Sequence, residues 1–168
     1  MKSLLFVAPR FETECGYLSR ALAPVFSVRS LSGSWRSFAH NEIPEGFPRS
    51  ADGLRGHDAV IFSDVGRCNF DDDALNALDR YVRAGGGFLM IGGHASFGGF
   101  EGMGGWGGSP VEELLPVTIP ERSDALQHHR GFTFEPADVS HPAVAGIDFS
   151  DMPIAIGFNR VVARPDAR

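Results

Sequence analysis

The stretch DDDALNALDRYVRAGGGFLMIGGHAS, residues 71–96, decides the fold. Its first half has the outline of a helix. Asp71, Asp72 and Asp73 crowd the end where the helix dipole is positive, Leu75, Leu78 and Val82 recur at helical spacing, and Arg80 and Arg83 lie toward the negative end. Gly85 then provides the stop. Phe88-Leu89-Met90-Ile91 follows as a short, continuous apolar run, the pattern of a strand covered on both faces.

Reading outward, Ala59-Val60-Ile61-Phe62 is a second buried strand, and Ser3 to Ala8 a third. The third leads into a helix from Thr13 to Ala23, with Leu18, Ala21 and Leu22 on one face and Pro24 at its end. Val25 to Leu31 alternates apolar with polar residues, as a strand near a sheet edge does, and Ser32 to Gly56 reads as loop. Continuous apolar strands alternating with helices predict an α/β fold, a doubly wound, mostly parallel sheet with helices on both faces. Residues 1–168 are expected to form one domain. From Pro116 to Pro165 six prolines punctuate short segments, among them Val117-Thr118-Ile119, Phe132-Thr133-Phe134 and Ile154-Ala155-Ile156, read as short strands and loops. The stretch around Asp124 and His128 reads as a polar loop.

Composition narrows the function classes. The chain carries a formal charge of -6 and a single lysine, Lys2, so it lacks the basic face that tracking a phosphate backbone requires. No apolar run approaches the ~20 residues of a membrane span, and Leu4-Leu5-Phe6-Val7 begins without a leader layout, which predicts a cytoplasmic protein with neither nucleic-acid nor membrane partner. Cys15 and Cys68 stand far apart without metal-site spacing, and His94, the adjacent pair His128 and His129, and His141 match no HxH or HExxH pattern. No metal and no cofactor are expected. The GxxxxGK[ST] phosphate loop is also missing.

In an open parallel sheet, ligands gather at the carboxyl ends of the strands. Three segments fall there: Arg10-Phe11-Glu12, Ser63-Asp64, and Gly92-Gly93-His94-Ala95-Ser96. The last has the make-up of a strained elbow with His94 at its tip, which places His94, Ser96 and Asp64 as candidate catalytic groups. Glu12, Ser63 and Gly93 are candidate ligand contacts, and Glu12, Ser63 and Asp64 are equally readable as capping residues. Between Gly85 and Gly108, 12 of 24 residues are glycine, a density that only a shaped loop accommodates. Ser109 would cap a short helix at Pro110 to Leu115.

SDVGRCNF (Ser63 to Phe70), YVRAGGGFLMIGGHASFGG (Tyr81 to Gly99), GSPVEELLPV (Gly108 to Val117) and GFNR (Gly157 to Arg160) together resemble the glutamine amidotransferase-like proteins. These are relatives of the class I glutamine amidotransferase superfamily and of the ThuA-like trehalose-utilisation proteins. The resemblance implies a flavodoxin-like sheet. It also implies, for an active enzyme, an elbow cysteine with a late histidine and glutamate. Here His94 stands at the elbow, and Ser140-His141-Pro142-Ala143 has alanine where the glutamate would fall. Cys15 and Cys68 lie outside the elbow, so glutamine hydrolysis is not expected.

The family's sequences continue beyond the GFNR-like motif. The sheet is therefore expected to lack C-terminal strands and to be completed in a homodimer through its open edge. Asn159 and Arg160 would offer amide and guanidinium donors to a sugar or a carboxylate. Three roles stay open: binding or modifying a small polar molecule at the strand ends, an active amidotransferase or amidohydrolase subunit, and a non-catalytic assembly protein whose contact surface is the glycine loop with Trp106, although Trp106 and Phe97 read first as cover for the sheet end.

Overall fold

A computed structural model describes residues 1–9, 12–33, 44–120, 123–165 and 167, with the side chains of residues 12–15 outside that set. Arg10, Phe11, the side chains of Glu12 and Cys15, and much of the expected loop before Gly56 therefore lie outside the described residues.

Strands β1 (Lys2–Pro9), β2 (Phe26–Gly33), β3 (Ala59–Ser63) and β4 (Gly87–Ile91) form one parallel sheet in the order β2-β1-β3-β4. The chain steps one way from β1 to β2 and the other way to β3, so the sheet reverses direction between β1 and β3. Helices occupy both faces, as the alternation within the strands requires. Leu5, Val7, Val60, Phe62 and Met90 point toward α2 (Ala51–Leu54) and α3 (Asp72–Arg83), meeting Leu54, Leu75 and Leu78. Leu4, Phe6 and Ile61 point the other way, toward Leu18 and Leu22 of α1 (Glu12–Leu22). Asp71 caps α3, its carboxylate accepting from the Ala74 amide at 2.9 Å.

Trp106 covers the end of the sheet, as expected, and offers no exposed contact for assembly: it is 0% exposed, packs near Phe62 and Phe70 with centroid distances of 5.7 Å, and donates its indole N–H to the Val65 carbonyl at 3.0 Å. The glycines around it let the backbone fold the ring inward onto the sheet end. The stretch after Asp124 is not a loop but strand β6 (Ala125–Phe132), paired antiparallel with β7 (Ala155–Asn159). Its polar residues hide the strand because a ribbon exposed on one side is held by its partner rather than by burial. A second small ribbon joins β5 (Val117–Thr118) to β8 (Val162–Ala163). Where a short helix was expected after Ser109, a single 3-10 turn runs from Glu112 to Leu114.

At the amino ends of the strands, Ser3 Oγ lies 2.9 Å from His57 Nδ1, and Tyr81 donates its hydroxyl to the His57 carbonyl at 2.8 Å. Desolvation first, and the Arg29 charge second, hold the His57 pKa below its ordinary value of 6.5. The unfolded chain therefore binds a proton here more readily than the folded one. His57 contributes stability that is complete above about pH 6.5 and is lost as the pH falls through that value toward the depressed folded pKa. Thermal melts at about pH 7.5 and about pH 5.5 are expected to differ less in His57→Gln than in the parent. An equal difference in both would assign the acid sensitivity to other groups.

Candidate functional site

The loop after β4 is held by groups from three other elements. Asp64, just past β3, adopts a left-handed backbone (φ 49), which aspartate tolerates better than most residues. There its carboxylate reaches over to accept from the Ala95 amide at 2.6 Å, and its own amide donates to Ser96 Oγ at 3.1 Å. Ser96 in turn donates to the Ile91 carbonyl at 2.5 Å. Gly93 passes against the Asp64 carboxylate so closely that a Cβ there would overlap it, which is why the position carries no side chain.

Asn159 of β7 grips the opposite side of the loop. Its Oδ1 accepts from the Gly93 amide at 2.8 Å, and its Nδ2 donates to the Gly93 carbonyl at 3.1 Å, to the Ser96 carbonyl at 3.3 Å and to Asp124 Oδ1 at 2.8 Å. Asp124 is only 2% exposed, and both its oxygens are engaged. Oδ2 accepts from the Gly98 amide and Oδ1 from the Gly99 amide, each at 2.8 Å. Gly99 takes a positive φ of 76, which helps aim these two successive amides at one point and makes an anion nest. The chain's own carboxylate fills it.

Between this loop and the β6–β7 ribbon lies a cavity of about 480 Å³. Phe97, Leu126, Phe134, Ile156 and Phe158 supply carbon walls, while His94, Gln127 and Asn159 supply the polar side chains. His94 is exposed and sits 3.1 Å from Gln127, Nε2 to Nε2. With the Gln127 amide donating, the imidazole accepts at Nε2 and keeps its proton on Nδ1.

The sequence candidates are thus only partly brought together. His94, Gly93 and Asn159 line the cavity. Ser96 is 1% exposed with its hydroxyl bonded on both sides, so it shapes the loop rather than facing a ligand. Asp64 lies beneath the loop, also as a support. Ser63 ends β3 opposite Ile91, half-buried and away from the cavity lining, and Arg160 faces a neighbouring hollow. The expected strain at His94 is also absent: among the described residues, the non-glycine positions with a left-handed backbone are Asp64, Phe97 and Glu101. Glycines and the Asp64 and Asn159 bonds make the turn without it. Glu12 opens α1, and its side chain falls outside the described residues.

Asp124, Gln127 and the ribbon's apolar residues went unread as site residues. A signal existed in the alternation of Ile154, Ile156 and Phe158, which marks one face of a strand. Among the described residues no three His, Cys, Asp or Glu side chains converge as a metal site, and no helix is long and apolar enough to cross a membrane. Burial raises the Cys68 pKa, which favours the protonated thiol over the nucleophilic thiolate.

A parallel sheet in the order β2-β1-β3-β4, reversing between β1 and β3, with helices on both faces, defines a flavodoxin-like α/β protein. Residues 5–168 match the family described as "Putative glutamine amidotransferase", and the chain belongs to that family. It is similar in structure to the cytoplasmic protein STM3548 of Salmonella typhimurium, with a TM-score of 0.79 and 25% identity over 99% of this chain and 76% of that one. It is also similar in fold to the cytoplasmic protein STM1381 of Salmonella typhimurium LT2, with a TM-score of 0.81 and 23% identity over 98% of this chain and 76% of that one. No curated protein matches the sequence.

Proposed function

We propose that this family member binds or modifies a small molecule in the cavity between the β4 loop and the β6–β7 ribbon, and that it does not hydrolyse glutamine. The cavity itself is the observation that carries this reading. At about 480 Å³ it falls within the range of small-molecule sites, and it combines carbon walls with a few converging polar groups. Those walls narrow the ligand from a wholly polar molecule to one with a substantial apolar body and a group able to hydrogen-bond with His94 or Gln127.

The second half of the reading follows from the elbow. His94 occupies the place where the resemblance calls for a thiol, Ala143 that of the expected glutamate, and the Cys68 thiol is held protonated in a turn after β3. Glutamine hydrolysis would thus lack its nucleophile. The two similar Salmonella proteins are named as cytoplasmic, which supports the same setting here. β4 ends the sheet, with no strand paired to its outer side among the described residues; this supports a homodimer in which a second copy covers that edge, and a monomeric mass in solution would remove that part of the reading.

A thermal-shift screen against sugars, amino acids including glutamine, and alcohols and amides of rising apolar size tests the whole. A ligand that raises the parent's midpoint is expected to lose about tenfold in affinity in Gln127→Ala and in His94→Ala, the scale of one lost hydrogen bond. Steady ammonia release from glutamine would overturn the non-hydrolytic half. A ligand bound equally well by the parent and both variants would move the site elsewhere.

A further inference from the structure

The cavity continues past its carbon wall. Leu126, one of its lining residues, also lines an adjoining hollow of about 370 Å³ formed with Pro120, Ser123, Arg160 and Val162. The two spaces differ in electrical character. Among the described residues no Asp, Glu, Lys or Arg lines the cavity, whereas the hollow holds Arg160, which is exposed and whose guanidinium makes no hydrogen bond or ion pair with any of them. Asp124 also lines the hollow. Its oxygens are turned inward onto the Gly98 and Gly99 amides and Asn159, and so are not spent on Arg160.

The backbone joins the two spaces rigidly. Arg160 follows β7 directly, and its amide donates to the Asp124 carbonyl at 2.8 Å, extending the β6–β7 pairing past Asn159. Leu126 stands opposite Phe158 in that ribbon. Ile156 and Phe158, two residues apart in an extended strand, turn to one face. An apolar track therefore runs along the ribbon and ends at a cation that has no partner among the described residues.

We propose that cavity and hollow are two halves of one site for a carboxylate with an apolar body. The body occupies the cavity, and the carboxylate crosses Leu126 to meet the Arg160 guanidinium, whose planar fork matches its two oxygens. This rests on the reading of the cavity as a ligand site.

Calorimetric titration with octanoate and with octanamide, which has the same body and no charge, separates the two ideas. At low salt the parent is expected to bind octanoate about tenfold more tightly than octanamide, a preference of the size that one charge-assisted hydrogen bond supplies. That preference should collapse in Arg160→Gln, persist largely in Arg160→Lys, and shrink as salt is added. Equal affinity for both probes in the parent, or an octanoate preference that survives Arg160→Gln, overturns the proposal. If octanamide binds and weakens in Gln127→Ala while octanoate gains nothing, the cavity reading stands and the proposal falls. If neither probe binds, the proposal falls, and the cavity reading is then decided by the broader screen.

Discussion

Asp124→Ala is expected to lower the unfolding free energy by about 3 to 5 kcal/mol, because hydrogen bonds to a charged group are worth about 1.5–3 kcal/mol each and the donors left behind are buried. Three donors lose their acceptor at once: the Gly98 amide, the Gly99 amide and Asn159 Nδ2. Water entering the gap limits the loss to less than the sum. Asp124→Asn is the sharper variant. It keeps the shape and one oxygen but turns an NH₂ toward a backbone N–H, so it should recover less than half of the loss. Midpoints of urea unfolding measure both, and a loss below about 1 kcal/mol for alanine would mean that solvent replaces the carboxylate freely. Because Asn159 also holds Gly93 and Ser96, the same variant should weaken ligand binding at the cavity.

Trp106→Ala is expected to cost about 3 to 5 kcal/mol, as large aromatic truncations in packed cores do. The ring is among the largest fully buried side chains, and it abuts Phe62 of β3 and Phe70 ahead of α3. Trp106→Phe separates packing from hydrogen bonding. It refills much of the space but leaves the Val65 carbonyl without its indole donor, a penalty of about 1–3 kcal/mol for a buried acceptor. Val65 adjoins Asp64, so slack at Trp106 should loosen the support under the β4 loop. Unfolding midpoints close to the parent's in both variants would show that the sheet end closes without this ring.

The parallel sheet was legible because its strands are local apolar runs and because α3 carries its own punctuation, from the Asp71 cap to the arginines of its last turn. Such signals live within a dozen residues. The β6–β7 ribbon was not legible at β6, since Gln127, His128, His129 and Arg130 face water and show no apolar period. Trp106 was legible as cover for the sheet end, and the glycines around it permit the fold-back that buries the ring. Of the site, His94, Gly93 and Asn159 could be placed at the strand ends from sequence. Asp124 could not, because its part depends on two amides 25 and 26 positions away whose alignment only the folded loop creates. Arg160 was read as lining one pocket with Asn159 and stands instead in the neighbouring hollow, since Asn159 faces the loop and the chain carries the guanidinium past it.

The bonds that pin the β4 loop join positions 31, 32, 63 and 66 residues apart. Closing loops of that length costs entropy that the contacts of the folded loop must repay. A two-stranded ribbon is also marginal by itself in water. The ribbon pairs with no strand of the four-stranded sheet, so its release is expected to erase the cavity without unfolding that sheet. A ligand held in the cavity would make that release rarer.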